Sequence, residues 1–72
     1  MILYLNTPEF ATMLAFLTNE SAFSFSEYCD NEQYFTFECD DQEDADALEQ
    51  YLTEELIANG FQFFTFEALE IA

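Results

Sequence analysis

Carboxylates are the residues of this sequence whose number and spacing could do chemistry. The chain has 72 residues, 16 of them Asp or Glu, and no Lys, Arg or His, so its formal charge at pH 7 is -16. Carboxylates can transfer protons, bind hard cations such as Ca²⁺, or accept hydrogen bonds from the Arg and Lys of a partner. The residues that accompany the carboxylates decide between these roles.

The sequence lacks the groups that would assist carboxylates in catalysis. Glycoside hydrolysis places two carboxylates in a cleft, and 72 residues leave little room for one. No His is available as a base, and no cation could stabilise negative charge that develops in a transition state. No positive residue exists to activate Cys29 as a nucleophile. We therefore predict that the protein is not an enzyme.

The acidic residues do not have the spacing of a calcium loop, and the chain has too few Cys and His to bind zinc. A calcium loop of the EF-hand type that starts at Asp40 would have Ala45 where Gly is needed and Tyr51 where the final Glu belongs. Structural zinc takes four protein ligands, and the chain offers only Cys29 and Cys39 and no His. We predict no dedicated metal site and no cofactor, and we expect both cysteines to be small core residues.

The acidic residues are concentrated in the middle of the chain. Twelve of the sixteen lie between residues 27 and 55, and these are the candidate partner-binding residues: Glu27, Asp30, Glu32, Glu38, Asp40, Asp41, Glu43, Asp44, Asp46, Glu49, Glu54 and Glu55. An ordinary domain of this length would contain about nine Lys or Arg. Mixed charges would serve solubility without self-repulsion. We infer that the one-sided charge serves to bind a positively charged partner.

The density of this charge approaches that of a nucleic acid. A helix from Asp41 to Glu55 would carry seven carboxylates over about 20–25 Å, or roughly one per 3 Å, and duplex DNA carries one charge per about 1.7 Å. Both spacings lie inside the Debye length of about 8 Å. A basic groove would therefore meet a continuous negative ridge, whereas nucleic acids and anionic membranes would repel the chain.

In size, charge and aromatic content the chain resembles the DNA-mimic proteins of phages and mobile elements. These include inhibitors of restriction enzymes, of CRISPR effector complexes and of uracil-DNA glycosylase. They differ in fold, so no individual residue is carried over. The resemblance implies competitive occupation of a DNA-binding channel through Arg and Lys contacts, in an anti-CRISPR or anti-restriction role in the host cytoplasm.

Two alternatives remain open. The chain could be an immunity-like, antitoxin-like or chaperone-like module that binds a basic nuclease or nucleic-acid-binding protein without mimicking DNA, through anchors such as Tyr28 and Tyr34. Its acidity could instead be an adaptation to high salt. The sequence has no apolar run of about 18 residues and no positive amino-terminal region typical of a signal peptide, so we expect a cytoplasmic protein.

The elements that must position the carboxylates follow from the apolar pattern. Hydrophobic residues make up 51% of the chain, with ten Phe and four Tyr, which predicts one folded domain over residues 1–72 rather than disorder. Residues 1–5 fit a first strand. Thr7 is a suitable N-cap and Pro8 a suitable first helical residue, and the apolar spacing over residues 10–17 predicts a helix that ends near Asn19.

Two alternating segments, residues 22–29 and 34–39, predict a hairpin. The phenylalanines share one face only if the loop has an odd number of residues: Phe23, Phe25, Phe35 and Phe37. A three-residue loop of Asp30, Asn31 and Glu32 meets this condition. It would place Cys29 opposite Gln33 and Phe23 opposite Cys39.

A second helix follows, capped by Asp40 or Asp41 and ended by Asn59 and Gly60. Its apolar stripe is Ala45, Leu48, Tyr51, Leu52 and Leu56. Residues 61–66 predict a fourth strand, in which the doublet at 63–64 suggests a bulge. Residues 67–72 either extend this strand or fray.

The element order predicts an α+β, ferredoxin-like fold, in which a four-stranded antiparallel sheet carries two helices on one face. The hairpin, the junction after the third strand and the second helix would then form one continuous negative side. The other sheet face would expose Tyr4, Tyr28, Tyr34 and Phe64, which favours a partner or a homodimer there. Scattered surface aromatics are the alternative explanation.

Overall fold

The computed structural model describes residues 1–19 and 24–70. Within them lie six elements: β1 (Ile2–Asn6), α1 (Phe10–Asn19), β2 (Glu27–Cys29), β3 (Tyr34–Glu38), α2 (Gln42–Ala58) and β4 (Thr65–Leu69). The strands form one antiparallel sheet in the order β2-β3-β1-β4. This is the ferredoxin-like α+β arrangement, so the predicted fold class is confirmed.

The core lies between one face of the sheet and the two helices. Leu3 is paired with Phe37 and Leu5 with Phe35, so these four side chains project from the same face. The helices cover that face with apolar residues: Phe10, Met13 and Leu17 from α1, and Ala45, Leu52 and Leu56 from α2. Full burial of each large side chain contributes about 1.5–3 kcal/mol, so this single cluster supplies most of the driving force for folding.

Thr7 joins the start of α1 to the approach to β4. Its Oγ1 accepts a hydrogen bond from the backbone N–H of Glu9 at 3.0 Å, within the turn that precedes α1, and donates to the carbonyl of Phe63 at 2.6 Å. The helix itself begins at Phe10, two residues after the predicted first helical residue, Pro8. The residue is only 2% exposed. One hydroxyl therefore joins the turn before α1 to a segment 56 positions further along the chain.

Both ends of α2 are closed as the sequence suggested. Of the two candidate caps, Asp41 is the one used, because its Oδ1 accepts from the N–H of Asp44 at 2.9 Å. At the other end the N–H of Gly60 bonds the carbonyl of Ile57, and the N–H of Phe61 bonds that of Leu56. These two bonds form a Schellman motif, and Gly60 has the positive φ of 91° that the motif requires.

The hairpin differs from the expectation in its loop and its register. Cys29 is opposite Tyr34, so the loop has four residues, and Gln33 closes it with a left-handed φ of 58°. A four-residue loop is compatible with the fold because Phe25 precedes β2 and still contacts Phe35, at 5.4 Å between ring centroids. The expected partner of Cys39, Phe23, lies outside the described residues.

β2 is also shorter than the predicted strand over residues 22–29. The N–H of Ser26 bonds the carbonyl of Thr36 at 2.7 Å, and the next N–H, of Glu27, bonds the Thr36 hydroxyl at 3.1 Å. Two successive amides thus use the same residue, which interrupts a regular ladder. The strand therefore begins at Glu27.

β4 begins four residues later than predicted. The segment before it is held by other contacts, because the N–H of Phe61 completes the α2 cap and the carbonyl of Phe63 accepts from Thr7. Of the two alternatives for the end of the chain, extension is correct as far as Leu69. Ile71 and Ala72 lie outside the described residues.

Three aromatic placements are corrected. Tyr28 is opposite Phe35 and therefore projects toward the helices, where its ring lies 5.9 Å from that of Phe10. Phe64 packs against the core rather than on the uncovered face. Tyr51 is 44% exposed because it lies about 100° around α2 from the buried Leu52.

Replacement of Gly60 by Ala should lower the free energy of unfolding by about 1–2 kcal/mol, because a Cβ is unfavourable in the left-handed region. No atom lies within 4 Å of the Cβ position, so the cost is conformational rather than steric. Urea unfolding would measure it. Gly60→Asn should cost less, since Asn tolerates this region, and equal stability of the Ala variant and the wild type would contradict the assignment.

Candidate partner-binding surface

The largest group of carboxylates surrounds the amino-terminal end of α2. Five exposed acids occupy this region: Asp40, Asp41, Glu43, Asp44 and Asp46. Three of them accept hydrogen bonds: Asp41 caps the helix, Asp44 Oδ2 accepts from the N–H of Asp40 at 3.2 Å, and Asp46 Oδ1 accepts from the side-chain amide of Gln42 at 2.8 Å. Negative charge here is also favoured by the positive end of the helix dipole. Part of this acidity therefore stabilises α2.

The remaining acids of α2 have no such role in folding. Glu49 and Glu54 are exposed and Glu55 is half-buried, and Glu55 lies in the last turn, where no basic residue is present. Negative charge near the carboxyl end of a helix is unfavourable. Glu43, Asp46 and Glu49 are spaced three residues apart, so like charges also adjoin along the helix surface. We therefore expect Glu49, Glu54 and Glu55 to reduce the stability of α2.

We define the α2 ridge as the carboxylates of Asp41, Glu43, Asp44, Asp46, Glu49, Glu54 and Glu55. The helix has 17 residues and is therefore about 25 Å long. Glu43 and Glu54, eleven residues apart, lie within about 20° of each other on the side of the helix that faces away from the core. Asp44 and Asp46, however, lie about 160° apart around the helix axis, and no acid stands between Glu49 and Glu54, so the seven carboxylates are spread around the exposed part of α2 as well as along it.

Two further predicted acids project from the opposite layer. Glu27 is opposite Thr36, and Glu38 is opposite Ile2, which places both side chains on the sheet face that the helices do not cover. Glu38 leads through Cys39 directly to Asp40, so its charge adjoins the start of the α2 ridge. Glu27 is on the edge strand and is separated from the ridge by the thickness of the sheet.

Asp30 and Glu32 lie at the other end of the molecule. They belong to the hairpin loop, and β3 runs from that loop to the start of α2 over five residues, or about 17 Å. Glu32 borders an open cleft of about 500 Å³ that is also lined by Thr7, Gln62 and Phe63. The twelve predicted acids therefore do not form the single continuous side that the sequence analysis expected, because β3 separates its two acidic ends.

The structure adds two carboxylates that the sequence analysis left out. Glu67 is opposite Tyr4 on the uncovered sheet face, and Glu70 borders a cleft with Met1, Asp40 and Asp41. Both follow from the extension of β4 to Leu69, which the apolar pattern did not decide. The distribution of acids along the sequence does not predict a role for Glu67 and Glu70, because their neighbours come from β1 and from the junction before α2.

Two tyrosines form a pair on the same face. The rings of Tyr4 and Tyr34 meet edge to face, with centroids 5.4 Å apart and an angle of 69° between their planes. Burial raises the pKa of Tyr34, and nearby Cys29 and Glu32 raise it further. Cys29 is thus a neighbour of this tyrosine rather than the core residue expected, whereas Cys39 is buried.

The described residues contain no cluster of three or more His, Cys, Asp or Glu side chains arranged to hold a metal ion. None of the helices in that part of the chain is long and apolar enough to cross a membrane.

Comparison with protein-family models, with curated proteins and with solved structures finds no match for this chain.

Salt should stabilise the folded domain. The chain has no Lys, Arg or His to pair with its carboxylates, so added ions screen repulsion without breaking side-chain ion pairs. We expect the Tm to be higher in 0.5 M than in 0.02 M NaCl, by roughly 4–8 °C for each kcal/mol of repulsion removed. A matched variant with Asp46→Asn, Glu49→Gln and Glu54→Gln should show a smaller rise. A Tm that does not change with salt in the wild type would contradict this account.

Alkaline pH should destabilise the domain. Burial, with Asp44 as the next cause, raises the pKa of Cys39 above its ordinary value of 9.0, and that of Tyr34 is raised above 10.0. The neutral forms are thus favoured in the folded state, and the stability they contribute is present below the unfolded pKa values and is lost as pH rises through the folded ones. Urea unfolding at pH 7.5 and 10.5 should show the loss. The loss of unfolding free energy between these pH values should be smaller in Cys39→Ala and in Tyr34→Phe. An identical loss in both variants and the wild type would show that neither group causes it.

Proposed function

We propose that this domain is a DNA mimic that inhibits a bacterial defence protein, of the anti-CRISPR or anti-restriction kind, by occupying its positively charged DNA-binding channel. The observation that supports this most directly is the formal charge of -16 without a single basic side chain, carried on a folded domain with exposed carboxylates. Its action is that of a binding protein, not an enzyme, and its place of action is the cytoplasm of the host cell.

The α2 ridge is the part of the surface that suits a phosphate-binding groove. It has seven carboxylates over about 20–25 Å, an average of roughly one per 3 Å of helix length, which is shorter than the Debye length of about 8 Å. Carboxylates accept paired hydrogen bonds from Arg in the way that phosphates do. A groove lined with Arg and Lys could therefore exchange its contacts with phosphates for contacts with the ridge.

The cost of the acidity to folding also favours a role in binding. Self-repulsion weakens a domain of this size, which has little stability to spare. Asp41 and Asp44 contribute to folding as caps, and Asp46 accepts a hydrogen bond from the Gln42 side chain, but Glu49 and Glu54 have unfavourable or neutral surroundings on the helix. A gain in affinity for a basic partner would offset this cost.

The first test is capture of the partner. The domain, immobilised, is incubated with bacterial lysate with and without added duplex DNA. We expect recovery of a DNA-binding protein that is lost when duplex is added. Retention of the same protein in the presence of excess duplex would contradict DNA mimicry and would favour an immunity-like or chaperone-like contact.

The second test is charge reversal on the α2 ridge. The triple variant Asp46→Lys, Glu49→Lys, Glu54→Lys avoids the capping residues, so the fold should persist by circular dichroism. Loss of three exposed ion pairs of about 0.5–1 kcal/mol each should weaken displacement of labelled DNA from the captured protein roughly 10- to 100-fold.

The matched control makes the same change in charge elsewhere, as Glu9→Lys, Asp30→Lys, Glu32→Lys. Its fold is checked by circular dichroism as well, because Glu9 Oε2 accepts from the N–H of Gln62 at 3.5 Å. Its effect should be clearly smaller, because these residues lie away from the ridge. Equal weakening by the two triple variants would mean that only net charge matters, and the ridge would then not be the contact surface.

A further inference from the structure

The sheet face that the helices leave uncovered combines aromatic rings with carboxylates. We define the tyrosine face by six side chains that the strand register places there: Tyr4, Tyr34, Thr36, Glu27, Glu38 and Glu67. We propose that this face binds arginine side chains of the basic partner. The inference deepens the proposed function and rests on it, since it names a second contact surface and the residue type that it recognises.

The register arranges these groups in a compact pattern. Glu27, Thr36, Tyr4 and Glu67 form one row across all four strands. Adjacent strands are about 4.8 Å apart, so a carboxylate lies directly beside Tyr4 and another lies about 10 Å away at the far edge. Glu38 is diagonal to Tyr4, since it pairs with Ile2. Tyr4 is thus surrounded by acids contributed by three different strands.

The threonine and the two tyrosines of this pattern are held by contacts within the sheet. Thr36 is 8% exposed, and its hydroxyl both accepts from the N–H of Glu27 and donates to the carbonyl of the same residue. Tyr4 and Tyr34 hold one another edge to face at 5.4 Å. The face therefore offers two tyrosine rings held by mutual contact beside a threonine whose hydroxyl is paired, which suits a flat group that can stack.

The chemistry of the occupant follows from charge and shape. A guanidinium group is planar, stacks on tyrosine rings and forms paired hydrogen bonds with carboxylates, whereas a lysine ammonium is a compact, strongly hydrated charge. A second copy of this chain is a poor occupant, because each copy has a charge of -16 and face-to-face contact would bring Glu27, Glu38 and Glu67 of both copies together. The homodimer suggested by the sequence is therefore disfavoured against an arginine-bearing segment.

The position of the tyrosine face is compatible with simultaneous use of the α2 ridge. The two surfaces lie on opposite layers of a domain that measures 31 × 26 × 21 Å. A channel that encloses duplex DNA contacts it on more than one side, so a domain held in the same channel can be contacted on both layers.

The experiment compares nona-arginine and nona-lysine peptides of equal charge by isothermal titration calorimetry. The wild type should prefer nona-arginine about five- to thirty-fold, from stacking on two rings. Tyr4→Leu with Tyr34→Leu should lose most of this preference, and Tyr4→Phe with Tyr34→Phe should retain it. Tyr51→Leu, which removes an exposed tyrosine from α2, should have no effect on the preference.

A second pair of variants keeps the test independent of ring packing. Glu67→Gln should weaken nona-arginine binding more than Glu70→Gln does, because only Glu67 adjoins Tyr4. Equal affinity of the wild type for both peptides, or an unchanged preference in the double leucine variant, would overturn the inference. So would dimerisation of the wild type that the leucine variant abolishes.

The failure of DNA mimicry and the failure of arginine binding by the tyrosine face give different results. If lysate capture yields no protein that duplex DNA displaces, DNA mimicry is lost whatever the peptides do. If capture succeeds and the arginine preference is absent, only the role of the tyrosine face is lost.

Discussion

Mutual repulsion between carboxylates without basic side chains to pair with is the constraint under which this domain folds. Burial of aliphatic and aromatic side chains has to outweigh it, and the core achieves this with one cluster between the sheet and the helices. Every acid of the described residues lies outside that cluster. The separation of a neutral interior from an anionic exterior therefore follows from the cost of burying unpaired charge.

The same constraint gives the acids of α2 unequal roles. Near the amino-terminal end, Asp41 and Asp44 accept backbone hydrogen bonds and face the positive end of the helix dipole. Toward the other end the dipole reverses its preference, and Glu54 and Glu55 gain nothing from it. The acids of α2 thus stabilise one end of the helix and destabilise the other. A basic partner would relieve the most repulsion at the carboxyl-terminal end.

The tertiary arrangement distributes the charge over two layers. The α2 ridge lies on the helical layer, and the tyrosine face lies on the uncovered side of the sheet. A partner that approaches from one direction would meet one of them, whereas a partner that surrounds the domain would meet both. We regard the second geometry as the one that fits a DNA-binding channel, since such a channel contacts its ligand around the circumference.

Several local features could be predicted because they depend on residues close together in the chain. The cap at Asp41, the Gly60 stop and the apolar stripes of both helices, apart from Tyr51, follow from spacing and from the chemistry of single residues. The element order then restricts the topology, and the ferredoxin-like fold was the result. Strand limits were less accurate, because the limits of β2 and β4 depend on hydrogen bonds to Thr36 and Thr7, which are distant in sequence.

The composition by itself determined the charge, the absence of basic side chains to pair with it and the need for a single apolar core. Only the tertiary structure decided which carboxylates are neighbours. A strand of five residues separates the hairpin acids from those of α2, and the pairing of β4 with β1 brings Glu67 beside Tyr4. The physical reason is that charge and hydrophobicity are properties of residues, whereas proximity across a sheet is set by register, which a shift of one residue reverses.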